Sequence, residues 1–255
     1  MPQPSPRIGA RRRADVDTAL LARLTCGDCE TRTLVEMLGL DLAAVMRACV
    51  PEAGSAAVDA LSARGDEGIV ARMRAGGAEL LAHGGPDATR WAAHRSDIVR
   101  GWGAYVGALA PGLSLDQRLA AIRPFADDAN ASVREWAWMA VRPAVAEAIE
   151  DAIAGLSGWT SALSPNLRRF ASEVTRPRGV WCAHLPRLVR DPALALPILE
   201  PLRADSAKCV QDSVANWLND AGKANPTWVR ELIAKWRNGT PSVAGRIATR
   251  ALRNL

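Results

Sequence analysis

Leu167-Arg168-Arg169-Phe170-Ala171-Ser172-Glu173-Val174 is the stretch on which the reading of the fold turns. Its apolar residues recur three and four apart, the spacing of one helix face. Three other stretches echo it: Val133-Arg134-Glu135-Trp136-Ala137-Trp138-Met139-Ala140-Val141-Arg142-Pro143, Val210-Gln211-Asp212-Ser213-Val214-Ala215-Asn216-Trp217-Leu218-Asn219-Asp220 and Arg246-Ile247-Ala248-Thr249-Arg250-Ala251-Leu252-Arg253-Asn254-Leu255. Each begins near an aliphatic residue followed by charge, has a small residue in mid-helix and keeps an apolar stripe. Asp128–Ser132 and Asp205–Ala207 each supply a turn and an N-cap before their helix.

Helix pairs of roughly 35–45 residues therefore recur from Leu115 onward. No single pair can bury its apolar face alone, so neighbours must stack. The expected fold is all-α, a HEAT-like repeat α-solenoid of antiparallel helix pairs curved around a concave groove. Upstream, helical spacing covers Asp15–Leu24 and Thr33–Cys49, then Ala56–Arg64, Gly68–Ala82, Pro86–Arg95 and Ser96–Leu109, with Asp87 and Ser96 as N-caps. Residues 1–13 hold three prolines and Arg11-Arg12-Arg13, and read as a flexible basic tail. The expected organisation is that tail, then one helical solenoid domain over 14–255, with N-terminal helices to 113 and the repeats over 114–255.

Composition agrees with helices. Alanine, leucine and arginine dominate, and nine Trp stand against two Phe and one Tyr. No apolar run reaches the roughly 18 residues of a membrane span, so no membrane partner is expected. The five cysteines are odd in number and no secretory leader is apparent, which points to a reducing cytoplasm. Cys26-Gly27-Asp28-Cys29 has metal-knuckle spacing but lacks a second pair or a nearby histidine. No cofactor or metal is implied. The net charge of +5 suits a polyanion without requiring one.

The chemistry concentrates between Leu167 and Trp181. Arginines suit phosphate, an indole suits a sugar or base, and a carboxylate suits a developing positive charge. Taken singly these residues have plainer readings. Glu135 can pair with Arg134 or Arg142, Glu173 with Arg169 one turn back, and Asp220 can serve the Asn219–Lys223 turn. Trp136, Trp138 and Trp217 sit on apolar stripes and read as core.

The second half resembles the DNA alkylation repair family of HEAT-like repeat glycosylases, the AlkC/AlkD group, and is closer to AlkC. The resemblance rests on Val133-Arg134-Glu135-Trp136 with Arg142-Pro143, and on Leu167–Glu173 with Thr175-Arg176-Pro177-Arg178 and Trp181. Ser213–Asp220 with Lys223 and Pro226, and Arg250-Ala251-Leu252-Arg253, complete it. It implies a monofunctional glycosylase that hydrolyses the N-glycosidic bond of cationic alkylated purines, chiefly 3-methyladenine, in double-stranded DNA without flipping the base. The family's catalytic carboxylates fall on Glu135, Glu173 and Asp220, and its sugar-stacking tryptophan on Trp181. Arg168, Arg169, Arg176, Arg178 and Lys223 would then hold phosphates, and the enzyme is expected to act as a monomer. Two departures stand out. Gly179-Val180 replaces Leu-Pro before the tryptophan and suggests a looser loop. Gln211-Asp212 replaces a basic pair. They leave open an alternative, a non-catalytic HEAT-repeat module that binds DNA or protein through the same groove.

Overall fold

A computed structural model describes residues 7–239 and 241–254. Among them the chain is helical, with no strand. The helices are α1 (Thr18–Thr25), α2 (Leu34–Leu38), α3 (Leu42–Cys49), α4 (Gly54–Ser62), α5 (Ile69–Gly84), α6 (Asp97–Leu109), α7 (Leu115–Ala126), α8 (Ala131–Glu147), α9 (Ile149–Ser157), α10 (Pro165–Val174), α11 (Pro186–Arg190), α12 (Leu196–Leu202), α13 (Lys208–Gly222), α14 (Pro226–Gly239) and α15 (Pro241–Ala251). None is long and apolar enough to cross a membrane, among the described residues.

Two compact units share these helices. One takes the chain up to Gly112 together with Asp128–Ala140; the other takes Leu113–Asp127 and everything from Val141. In the first unit α6 is buried along almost its whole length, with Val99, Trp102 and Val106 fully inside. Gly76 and Gly77 of α5 permit this approach. A Cβ on Gly76 would lie 2.2 Å from the Trp102 indole nitrogen. In the second unit the core runs through α10, α13 and α15, from Leu167, Phe170 and Val174 to Val214, Trp217, Ile247 and Ala251. The Trp217 indole donates to Thr175 O at 3.0 Å, and Asn219 Nδ2 to Ala251 O at 2.9 Å. Trp136, Trp138 and Trp217 are core, as their stripes predict.

A repeated device sets the entry to the long helices. Arg100, Arg134 and Arg168 each fold back onto the carbonyls five and six residues earlier, and Gln211 reaches the carbonyl six residues back. Arg100 also forks onto Asp128, and Arg168 onto Asp205. Those aspartates cap their own turns by accepting from Asn130 N and Asp205's partner Ala207 N. The aliphatic-then-charge pattern thus marks carbonyls that need a donor. It begins at Val99-Arg100, one repeat earlier than the sequence texture suggests.

Several boundaries differ from expectation. The helix expected over Thr33–Cys49 breaks at Gly39-Leu40 because Asp41 restarts it, accepting from Ala43 N and Ala44 N. Pro86–Arg95 forms only a short 3-10 turn at Ala88–Trp91, capped by Asp87 as expected. Ser96 precedes α6 without capping it; its own N–H goes to the His94 ring.

Of the expected tail, residues 1–6 lie outside the described residues. Arg7 is bound to the Glu36 carboxylate and to Glu30 O, and Ala10 N donates to Glu36 at 2.7 Å. Burial pushes the Glu36 carboxyl up, but Arg7 and the N–H groups of Ala10 and Arg32 outweigh it and hold the group down at about 2. A depressed carboxyl contributes stability above its unfolded pKa and loses it as pH falls through the folded one. Glu36→Gln is therefore expected to lose about 2 kcal/mol at neutral pH and to flatten the acid loss of stability between about pH 4.5 and 2, read from urea midpoints.

Candidate active site

Helix α10 starts cleanly, with Ser164 accepting from Asn166 N and Pro165 at its first position. Leu167, Phe170, Ala171 and Val174 face the core. At its far end Thr175 Oγ1 donates back to Ala171 O, and the chain turns so that Arg176 N meets Glu173 O. This turn brings the Arg176 guanidinium over two carboxylates. Its Nη1 donates to Glu173 Oε1 at 2.7 Å, while Nε and Nη2 both donate to Asp220 Oδ2, at 2.9 and 2.7 Å. Glu173 and Asp220 are 4% and 5% exposed.

Three further groups complete the cluster. Ser213 Oγ donates to Glu173 Oε2 at 2.7 Å and takes a bond from Ser172 Oγ at 2.8 Å. Arg169 Nη2 stands 3.6 Å from Glu173 Oε2, and Lys223 Nζ 3.3 Å from Asp220 Oδ1. Burial pushes the Glu173 carboxyl up, yet the charges of Arg169 and Arg176 and the bonds from Arg176 and Ser213 hold it below the usual carboxylate range. Burial likewise works against the Arg176 cation, and its two carboxylates more than reverse it. The result is a pair of buried acids, 47 residues apart in sequence (173 and 220), fixed by one arginine between adjacent helices.

The loop after α10 hangs on Arg142 of α8. Its guanidinium donates to Val174 O and Arg176 O at 2.7 Å each, and to Ala183 O at 3.2–3.3 Å. Gly179 is clearance for that staple, since a Cβ there would lie 2.2 Å from Cys182 Sγ and 3.1 Å from Arg142 Cζ. The sequence reads Gly179-Val180 as slack; the structure gives the glycine a packing reason. Beyond it Trp181 stands 51% exposed with φ of 60°. A left-handed backbone on a bulky residue costs about 1–2 kcal/mol, and such strain gathers at functional positions. Trp181→Gly is expected to melt no lower than the wild type, because relief of the left-handed strain offsets the loss of about 0.5–1 kcal/mol to glycine entropy. Its base release from alkylated DNA should fall at least tenfold, with Trp181→Phe in between.

The remaining sequence-named residues scatter in role. Arg168, expected on phosphate, is instead bidentate on Asp205 and bound to Ala162 O and Leu163 O, as the turn device requires. Arg176 holds the two acids where phosphate was expected. Arg178 is half-buried, with its Nε enclosed and unpartnered. Glu135 belongs to the first unit, half-buried on α8, and accepts from the Trp138 indole at 2.9 Å. It lies in the second turn of α8, whereas Glu173 and Asp220 lie near the ends of α10 and α13. Sequence reasoning gave Ser172 and Ser213 no role, and read Arg142 only as a motif residue and a possible partner of Glu135, not as the staple of the loop after α10. A lone cation inside Ala140-Val141-Arg142-Pro143 is the one signal that could have pointed to it. No group of three or more metal-ligating side chains occurs among the described residues.

Residues 117–252 match the family model described as DNA alkylation repair enzyme. The chain belongs to this family. It is 41% identical over 102 residues to the uncharacterized protein YhaZ of Bacillus subtilis (strain 168), an overlap that covers 40% of this chain and 29% of that protein. Its fold is that of the Pseudomonas fluorescens alkylpurine DNA glycosylase AlkC, solved bound to DNA containing an abasic site analog. The TM-score is 0.70 at 24% identity, over 96% of this family member and 65% of AlkC. The chain thus spans under a third of YhaZ and about two thirds of AlkC. The all-helical solenoid expected from the repeats is the fold of this relative.

Proposed function

We propose that this family member is a monofunctional DNA glycosylase that hydrolyses the N-glycosidic bond of cationic N-alkylated purines in duplex DNA, chiefly 3-methyladenine, without flipping the base. The observation that carries the reading is the Glu173–Arg176–Asp220 cluster, with two buried carboxylates paired to one arginine on neighbouring helices and an exposed Trp181 on the adjoining loop.

An alkylated purine is already a good leaving group. The barrier falls when negative charge meets the deoxyribose as it becomes oxocarbenium-like. One carboxylate about 5 Å from that cation contributes about 3 kcal/mol at an effective dielectric of 20. Glu173 and Asp220 supply such charge, and either one can orient the attacking water. Arg176 aims both acids, and Ser213, backed by Ser172, fixes Glu173, so little reorganisation is needed when charge develops. Trp181 would stack on the sugar, and Glu135 would add a third carboxylate. Arg169, Arg178 and Lys223 are the members of the expected phosphate set that fit that role best. A cytoplasmic monomer acting on alkylated duplex is the accompanying expectation.

One observation favours the plainer reading of a DNA-binding module: Arg169, Arg176 and Lys223 outnumber the two acids they touch. The decisive experiment is base release from methylated duplex by the wild type and by Asp220→Asn. Release of 3-methyladenine that drops at least tenfold in Asp220→Asn supports the enzyme. Duplex binding with no release by the wild type establishes the module instead.

A further inference from the structure

Asp212, where the family pattern has a base, gathers three cations. Lys208 Nζ lies 2.9 Å from Asp212 Oδ2, Arg246 Nη2 2.7 Å from Oδ1 and Arg250 Nε 3.3 Å from Oδ1. Lys208 and Arg246 are exposed and Arg250 is partly so. Among the described residues Asp212 is the one carboxylate that any of the three reaches. The cluster therefore keeps a surplus of two positive charges at the surface. Lys208 opens α13, Asp212 follows one turn in, and Arg246 and Arg250 come from α15.

Two readings compete. Asp212 can be a strut that pins α15 to α13, or the cations can be assembled for an anion. A strut needs one arginine. Three mutually repelling cations on one acid, with Lys208 and Arg246 open to solvent and the Arg250 Nε enclosed without a hydrogen-bond partner, suit a phosphate. We propose that Lys208, Arg246 and Arg250, preassembled by Asp212, form a phosphodiester-binding subsite separate from the carboxylate cluster. It rests on the reading of duplex DNA as the partner. Spacing supports it. Asp212 and Asp220 are about 12 Å apart along α13, which is about three to four nucleotide steps of one strand. A strand seated with its sugar at Asp220 has a phosphate in range of this subsite. Asp212 then serves as an internal brake: it orders the cations in the free protein and competes with the phosphate afterwards.

The test is binding of an undamaged duplex by the full chain, followed by fluorescence anisotropy across salt concentration, beside a melting curve for each variant. Arg246→Gln and Arg250→Gln should each weaken binding several-fold at low salt and reduce the log–log salt slope by about one. Arg250→Lys should keep the slope. Asp212→Asn should bind several-fold tighter with a steeper slope. Unchanged affinity and slope in Arg246→Gln and Arg250→Gln, with lowered melting temperatures, would overturn the subsite in favour of the strut. Tighter binding lost or reversed in Asp212→Asn would overturn it as well. A wild type that shows this salt response but releases no base leaves the subsite standing while the glycosylase reading falls. A wild type that binds no duplex sinks both.

Discussion

Glu173→Gln is expected to slow base release at saturating DNA by about 10²–10³-fold, the loss seen when one preorganised electrostatic group is removed from an active site. The substitution keeps the shape and one acceptor, so Ser213 Oγ retains its bond. What disappears is the charge. With the acceptor kept toward Ser213, the amide nitrogen turns a donor toward Arg176, itself a donor. Arg176 still has Asp220, so the variant should fold, with a stability loss of about 1–3 kcal/mol. Rates are therefore to be compared well below its melting temperature. DNA affinity should hold or rise, since a negative charge near phosphate has gone. The wild-type pH profile adds a check. Glu173 is held below the usual carboxylate range, so release should be flat from neutral pH down through about pH 5. If Glu173→Gln releases base at the wild-type rate, the charge-stabilising role is wrong even if the enzyme is a glycosylase.

The sequence made the helices legible because their apolar period survives into packing. Leu167, Phe170, Ala171 and Val174 face inward as their spacing requires, and Asp205 caps the turn that its position predicts. Where local chemistry cut the period, as at Asp41, the helix boundary moved. The candidate site was legible as residues but not as an arrangement. Arg168, Arg169, Arg176 and Arg178 look alike in a string, yet each has a different fate. Arg168 is consumed by a turn, because Asp205 lies one repeat away in space and 37 residues away in sequence. Arg176 ties Glu173, three residues back, to Asp220, 44 residues on. No local pattern encodes which acid an arginine will find. Ser213 was invisible for the same reason, since a small polar residue on a helix acquires meaning only when Glu173 arrives beside it. The bland reading of Glu173 as a partner of Arg169 was partly right, and the closer partner was Arg176.

Arg176→Met is expected to cost about 3–5 kcal/mol at pH 7, the scale found when one partner of a buried ion pair is removed. It should also invert the dependence of stability on pH. In the wild type the Glu173 carboxyl is depressed, so its contribution is present above the unfolded pKa of about 4.3 and is lost as pH falls through the folded value. Without Arg176 the strongest single influence left is burial, which raises the carboxyl. A raised acid destabilises its ionised form, so the variant should weaken as pH climbs from about 4.3 through neutrality. Urea midpoints at about pH 5 and 8 read this directly: the variant should be the more stable at the lower pH. The triple variant Arg176→Met, Glu173→Gln, Asp220→Asn removes the buried charges with their counterion and should regain much of the loss at the higher pH. Activity should follow the same protonation. Base release by Arg176→Met should carry an acid limb moved upward, because Glu173 must now ionise against burial without Arg176 before it can stabilise the sugar cation. A variant as stable as wild type, with an unmoved limb, would show that Arg176 merely lies beside the acids. The expected result makes it the residue that holds Glu173 in its charged form and ties it to Asp220, at the cost of part of the negative field the two acids present.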